Sequence, residues 1–160
     1  MTNFSMDAFA NKLVAAGLVD DDEPLVGLSA AEISQLEDRF HVKLPAIYKN
    51  YLSVMGRSSG ELNSGSNFWY PEVLDFKKNA SDLLSRRLPG FVLSDHDFVF
   101  GTHQGYQFWY FDTRAGDDPP VFYYIEGDAP PVKKFDHFSE LLEAMLQDHV
   151  RVLEKLATNS

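Results

Sequence analysis

Residues 28–52 read LSAAEISQLEDRFHVKLPAIYKNYL, and this stretch predicts two consecutive helices. Ser29 can accept a hydrogen bond from a free amide at the start of the first helix. Glu32, three residues later, can reach back to the amide of Ser29, which is the reciprocal arrangement of a capping box. Apolar residues then follow at helical spacing and mark one buried face: Ile33, Leu36 and Phe40.

The second helix of this stretch is predicted from its proline and its apolar spacing. Residues 41–44 are a short extended piece, and the fixed φ of Pro45 suits a first helical turn. Gly56 is expected to end the helix. The apolar positions between these limits are Ile47, Tyr48, Tyr51, Leu52 and Met55.

The segments around this helical pair are predicted to be a helix and two loops. Apolar residues in 4–16 recur at helical spacing, and Gly17 follows where a C-terminal cap would stand. The acidic run at 20–23 interrupts the pattern and favours a solvated loop, although it is also open to a basic partner. Residues 57–67 are rich in serine and glycine and predict a flexible loop.

After this loop the apolar period changes. A short strand is predicted at 68–70, and a weaker helix over 71–88. Aromatic and β-branched runs separated by Gly, Asp and Pro clusters then predict an antiparallel meander with strands at 98–101, 106–112 and 121–125. The double prolines at 119–120 and 130–131 limit the sheet, because proline cannot donate to the strand ladder.

A long helix closes the predicted fold, with Asp136 or Ser139 as its cap. Its apolar stripe comprises Phe138, Leu141, Leu142, Met145, Leu146, Val150 and Leu153. Helices first, a meander second and one long helix last indicate an α+β fold: an antiparallel sheet flanked by helices. We expect one domain over 1–160, in which residues 1–27 supply the first helix and the acidic loop.

The charge of the chain restricts its partners. There are 14 basic and 24 acidic residues, a formal net charge of −10, so nucleic acid is disfavoured as a ligand and a basic protein is favoured. Acidity that serves only solubility is the alternative. The absence of cysteine fits a reducing cytoplasm, and the sequence shows neither a signal-peptide pattern nor an apolar run of membrane-spanning length. We therefore expect a cytoplasmic protein that does not bind membranes.

The motifs of enzymes and cofactor sites are not found in this sequence. Residues 95–97, together with His103, hold metal-capable side chains, but their spacing is not that of a metal site, and a polar turn is the simpler interpretation. There is no nucleophile elbow and no phosphate-binding glycine loop. We expect no catalytic residues, no metal and no cofactor.

Aromatic residues are the more informative candidates for function. Strand alternation sends about half of the meander's rings to each face of the sheet, and a partly open face would present the Tyr and Trp typical of binding hot spots. The alternative is that helices cover both faces and the rings are core. With acidic loop residues as a rim, the candidate partner-binding set is Trp69, Tyr70, Trp109, Asp117, Asp118, Glu126 and Asp128.

The stretch 28–56 resembles the opening of the SUKH superfamily, also called the Smi/Knr-like domain. The matching signature is a helix with an internal Glu, a Val-Lys-Leu-Pro turn and a Tyr-plus-Leu helix. The residues that carry it are Glu37, Val42, Leu44, Pro45, Tyr48 and Leu52. The resemblance extends over about 28–150, with two departures: the family often has Gly where His41 stands, and Asn-Gly-Gly after the second helix, where this chain has Val54-Met55-Gly56-Arg57.

This resemblance implies a single α+β domain without a catalytic site. Bacterial members commonly act as immunity proteins against polymorphic or contact-dependent toxins, many of them nucleases, which implies a basic toxin domain as the protein partner. Fungal members act as regulatory scaffolds, and that is the alternative for this chain. The sequence leaves open the toxin, the contact surface and the oligomeric state.

Overall fold

The computed structural model describes residues 4–62, 65–127 and 129–158. Within them the chain forms five α-helices, a 3-10 helix, a two-stranded sheet and a four-stranded sheet. The helices are α1 (Met6–Ala15), α2 (Ala30–Phe40), α3 (Ala46–Met55), α4 (Phe76–Arg87) and α5 (Phe138–Thr158). The strands are β1 (Leu25–Val26), β2 (Ser58–Ser59), β3 (Asp97–His103), β4 (Gln107–Asp112), β5 (Val121–Ile125) and β6 (Val132–Phe135).

The capping box at the start of α2 is confirmed. The Ser29 hydroxyl accepts from the Glu32 amide at 3.1 Å, and the Glu32 carboxylate accepts from the Ser29 amide at 3.0 Å. At the other end, His41 takes a left-handed conformation with φ of 54° and turns the chain towards α3. The Glu37 carboxylate accepts from the Leu44 amide at 2.7 Å and closes this turn. Glu37 thus links the end of α2 to the segment that leads into α3.

Helix α3 begins after Pro45 and ends at Gly56, as expected, and all five of its predicted apolar residues are buried. Tyr48 lies at the centre of the core, with its ring 5.3 Å from that of Phe111 and 5.7 Å from that of Phe138. These contacts bring α3, α5 and the sheet together.

The main sheet is antiparallel throughout, in the order β3-β4-β5-β6. The three predicted meander strands are confirmed. The sequence prediction missed β6, because its Lys133 and Lys134 lack the apolar alternation of a half-buried strand. Such lysines are typical of an edge strand, where they discourage pairing with another chain.

Helices lie on both faces of the sheet. The rings of Tyr48 and Phe138 place α3 and α5 on the face that includes Phe111. Helix α4 contacts β3, and its Arg87 forms an ion pair with Glu126 just after β5, so α4 crosses the opposite face. Phe108, Tyr110 and Tyr124 are buried on that face. Most of the meander's aromatic residues are therefore core.

Three local predictions need correction. Residues 68–70 form no strand in the described structure; instead Asn67 pairs with Thr102 through two backbone hydrogen bonds of 2.8 and 2.9 Å. The expected loop at 57–67 contains β2, which pairs with β1. The predicted helix over 71–88 is divided into a 3-10 helix, Glu72–Asp75, and α4.

The cap of α5 also differs from the prediction. The Asp118 carboxylate accepts from the Ser139 amide at 3.0 Å and from the Ser139 hydroxyl at 2.6 Å, while Asp136 pairs with Lys133. A distant loop therefore caps the helix, because its carboxylate reaches the free Ser139 amide in the first turn, where a local side chain was expected to act as the cap. Leu153, predicted to face inward, is exposed.

Candidate protein-binding surface

An apolar groove of about 280 Å³ opens between α5 and the sheet. Six of its lining residues define what we call the α5 groove: Phe68, Trp109, Tyr123, Phe135, Met145 and Asp148. Phe68 is buried, Asp148 is exposed, and the other four are half-buried. The groove therefore presents aromatic and thioether surface to the outside, and such residues are enriched in protein interfaces.

Strand register sets the aromatic floor of the groove. Trp109 of β4 is paired with Tyr123 of β5, and their ring centroids lie 5.3 Å apart. The Phe68 ring lies 5.2 Å from that of Trp109 and covers Gly101. A Cβ at Gly101 would come within 2.7 Å of the Phe68 ring, so glycine is required for this ring to seat.

Two histidines tie the neighbouring loop in place. His149 of α5 forms a 2.6 Å hydrogen bond through Nε2 with the Leu62 carbonyl, and His103 of β3 shares a 2.9 Å hydrogen bond with the Ser66 hydroxyl. The described residues on either side of the loop are thus attached to helix and sheet. This attachment holds one side of the groove to α5.

The rim of the groove is charged on both sides. The Lys134 ammonium lies 5.7 Å from the centre of the Tyr123 ring and forms a cation–π contact with it. Burial raises the pKa of the Tyr123 hydroxyl, with a smaller contribution from Tyr106. On the opposite rim Asp148 pairs with Arg151 at 3.3 Å.

Acidic residues continue beyond this rim. The Glu61 amide donates to the Leu18 carbonyl at 2.8 Å, which places Glu61 beside the segment that leads into the acidic run at 20–23. Leu62, the next residue, lines the groove and is bound to His149. Glu61 therefore adjoins the groove through Leu62, and its backbone contacts the segment that precedes the acidic run.

The structure separates the aromatic residues predicted from the sequence. Trp109 lies in the α5 groove. The Trp69 indole donates to the Ser59 hydroxyl at 3.1 Å, and the Tyr70 ring lies 5.0 Å below the Arg57 guanidinium. The latter two rings thus have partners within the chain, away from the groove lining.

The acidic candidates are also dispersed. Asp117 is exposed, and its backbone carbonyl accepts from the Ile47 amide at 3.1 Å, whereas the Asp118 carboxylate is used in capping α5. Glu126 is exposed but paired with Arg87. Asp128 lies outside the described residues. Partner binding by these residues remains a prediction.

Sequence reasoning did not include Tyr123, Met145 and Asp148 in the candidate set. The cross-strand pairing of Trp109 with Tyr123 depends on register, which the sequence of one strand does not fix. Met145 was assigned to the core stripe of the closing helix. Its half-buried state shows that it lies at the edge of this stripe, where the core meets the groove.

Residues 95–97 form the polar turn that was the simpler interpretation. The Asp97 carboxylate accepts from the Ser94 amide at 2.8 Å, and the Ser94 hydroxyl accepts from the His96 amide at 3.2 Å. Across 4–62, 65–127 and 129–158, no group of three or more His, Asp or Glu side chains is arranged to hold a metal ion. None of the helices in these ranges combines the length with the apolar character that a membrane span requires.

Comparison with known proteins gives two matches. The model of the SMI1 / KNR4 family (SUKH-1) matches residues 27–144, about three quarters of the chain. The major surface protein MspTL of Treponema lecithinolyticum is 32% identical over 102 residues, which is 63% of this chain. The match spans only 15% of the length of that curated relative.

Proposed function

Because the chain belongs to the SMI1 / KNR4 family (SUKH-1), we propose that it is a non-catalytic binding domain that acts as an immunity protein. In this function it binds one cognate toxin domain directly and blocks its activity. The family match is the observation that carries the proposal, since the family includes immunity proteins.

The charge of the chain supports a basic partner. A net charge of −10 favours encounter with a protein of opposite charge, because complementary fields raise the association rate and penalise wrong partners. A toxin that acts on nucleic acid needs a basic surface for phosphates. A polymorphic or contact-dependent nuclease toxin is therefore the partner class that fits best.

The same proposal includes the domain and its location. We assign 1–160 to one domain with its family core at about 28–150, and we place the protein in the cytoplasm, where a toxin that attacks nucleic acid would act. We assign the signature residues to the stability of the fold and not to partner binding. The Glu37 carboxylate closes the α2–α3 turn, and the Tyr48 ring fills the centre of the hydrophobic core. Partner recognition is left to residues outside this signature.

Co-expression tests this function. A candidate toxin domain encoded beside this gene is produced with and without the full chain, and cell growth and complex formation are measured. We expect growth to be restored and a stoichiometric complex to be purified with the cognate toxin, whereas a non-cognate toxin of similar charge serves as the control. Absence of both rescue and complex with every adjacent toxin would contradict the proposal.

A regulatory interaction scaffold without a toxin partner is the second candidate. It is favoured by the match to a large surface protein, because the matching region there is a small part of a longer chain. A scaffold would bind several partners weakly, and its gene would have no toxin gene beside it. Affinity purification that recovers several weak partners and no toxin would favour this alternative.

A further inference from the structure

The wall of the α5 groove continues beyond the body of the protein. Val152 and Leu156 follow Asp148 at four-residue spacing, so they lie along the same line of the helix. Their side chains are 55% and 63% exposed. An apolar strip of helix therefore extends from the groove mouth into solvent.

We propose that the α5 groove and this strip bind a cationic segment of a partner protein, with one large apolar side chain of that segment seated in the groove. The inference rests on the proposed protein-binding function and assigns its surface. The anchor would contact Trp109, Tyr123 and Met145, and the flanking residues would lie along Val152 and Leu156.

The size of the groove favours a side chain over a small molecule. Its volume of about 280 Å³ stands at the lower limit of the range of about 300–1,000 Å³ in which drug-sized ligands are bound, and it suffices for one large side chain. Half-buried aromatic residues around a pocket of this size are typical of anchor sites in protein interfaces. The exposed strip supplies contact area that a small ligand would not use.

The surrounding charge favours a cationic segment over a second copy of this chain. Glu61 directly precedes Leu62 of the groove lining, and two copies of this chain would each bring a net charge of −10. Close to the groove, Asp148 is paired with Arg151, and Lys134 lies over the Tyr123 ring and keeps its positive charge. The attraction for lysine and arginine residues beside the anchor therefore comes from the net negative charge of the whole chain.

The two tryptophans of the chain provide a direct test. Trp109 lies in the groove and Trp69 is bound to Ser59 outside its lining, so their indole N–H signals in a nitrogen-15 NMR spectrum of the full chain report on the groove and on a control position. The titrant is a short peptide with one leucine between pairs of lysines. Control peptides replace the leucine by alanine, or the lysines by glutamates.

We expect the leucine–lysine peptide to shift the Trp109 signal while that of Trp69 stays in place, with a Kd about tenfold lower than for either control peptide. Val152→Lys should weaken binding about tenfold, because it removes apolar contact and adds a like charge. Val92→Lys is the matched variant: Val92 is 83% exposed and lies outside the groove lining, so binding should be unchanged.

Equal shifts with all three peptides, no shift at all, or unchanged binding by Val152→Lys would overturn the proposed surface. Both valines are exposed, so both variants are expected to fold, and their melting temperatures check this. The co-expression test is independent of this titration. If the chain restored growth in the co-expression test but did not bind the peptide, the immunity function would stand. The toxin would then bind at a surface other than the α5 groove.

Discussion

Tyr48 combines complete burial with a hydroxyl that has no hydrogen-bond partner among the described residues. A buried polar group without a partner costs about 1–3 kcal/mol. Tyr48→Phe keeps the ring and removes this group, so we expect the free energy of unfolding to rise by about 1 kcal/mol. Urea denaturation measures the change.

Tyr124→Phe is the control for this substitution. Tyr124 is equally buried, but its hydroxyl donates to the Gly127 carbonyl at 3.4 Å. Removing that hydroxyl should not stabilise the protein. A loss of stability in Tyr48→Phe as large as in Tyr124→Phe would mean that the Tyr48 hydroxyl is satisfied in solution.

Buried tyrosines also predict a response to alkaline pH. Burial, with a smaller contribution from Asp97, raises the pKa of Tyr110 to about 12, whereas tyrosine in the unfolded chain ionises near pH 10. Between pH 10 and 12 the folded state therefore holds a proton that the unfolded state has lost. The free energy of unfolding should therefore fall across this window, by at most about 1.4 kcal/mol per pH unit from this residue.

Comparing the pH dependence of the unfolding free energy between the unmodified chain and Tyr110→Phe isolates the contribution of Tyr110. Tyr110→Phe removes the titrating group, so its stability should fall less steeply with pH above 10, although other groups still contribute. Denaturation curves at several pH values from 9 to 11.5 supply both slopes. Parallel slopes for the two proteins would show that Tyr110 ionises normally in the folded state.

His41 shows what a family pattern can reveal about backbone conformation. The family often has glycine at this position, and the structure gives His41 a φ of 54°, which costs a non-glycine residue about 1–2 kcal/mol. His41 is exposed. We expect His41→Gly to raise the melting temperature, with a net gain of up to about 1 kcal/mol after the added flexibility of the unfolded chain.

His41→Ala keeps the side-chain clash and serves as the comparison. Alanine tolerates this conformation less well than histidine, so its melting temperature should fall. If glycine and alanine lowered it equally, the backbone argument would be wrong and the His41 side chain itself would stabilise the turn. The sequence indicated this position only through its departure from the family, since nothing local to 38–44 requires a positive φ.

At the scale of elements, the loop between β4 and β5 binds two helices at once. The Asp118 carboxylate caps α5, and the Asp117 carbonyl accepts from the start of α3. We expect Asp118→Ala to lower the free energy of unfolding by about 2 kcal/mol, because it removes two charge-assisted bonds at a helix N-terminus. Asp117→Ala, which keeps the backbone carbonyl, should change it by less than about 0.5 kcal/mol.

Equal losses in the two variants would contradict this division of roles. Chemical denaturation measures the two losses, and partner binding by folded Asp118→Ala separates capping from recognition. If that variant remained folded but lost its partner, Asp118 would serve the contact as first predicted.

Elements stabilised by interactions between residues close in sequence could be predicted. Elements stabilised by interactions between residues far apart in sequence could not. The capping box of α2 and the proline at the start of α3 act within a few residues. The Asp118 cap and the pairing of β1 with β2 join segments that are far apart in sequence. Strand β6 escaped prediction because an edge strand needs only its backbone for pairing.

At the scale of the whole molecule, the candidate surface is a product of folding that no single segment encodes. Trp109 was identified as a candidate because tryptophan is frequent in binding hot spots. Its neighbours in the α5 groove come from β5, β6, α5 and, with Phe68, the segment before the 3-10 helix, and only the fold brings them together. The side chains of Trp69, Tyr70, Asp118 and Glu126 are occupied by contacts within the chain, which composition alone does not reveal.

The net charge of −10 leads to the last prediction, which concerns the rate of association. Fields of opposite sign speed encounter, and salt screens them beyond about 8 Å at physiological ionic strength. With a basic cognate toxin, we expect the association rate constant to fall at least about tenfold between 0.05 and 0.5 M salt, while dissociation changes less. Surface plasmon resonance measures both rates.

A variant with the acidic run at 20–23 replaced by Asn and Gln shows whether charge acts locally. If this run steers a cationic segment towards the α5 groove, the variant should associate more slowly at low salt and depend less on salt than the unmodified chain. A neutral variant with unchanged salt dependence would mean that steering comes from the remaining acidic surface. An association rate that is independent of salt in both proteins would remove charge from the mechanism and leave the apolar groove as the basis of recognition.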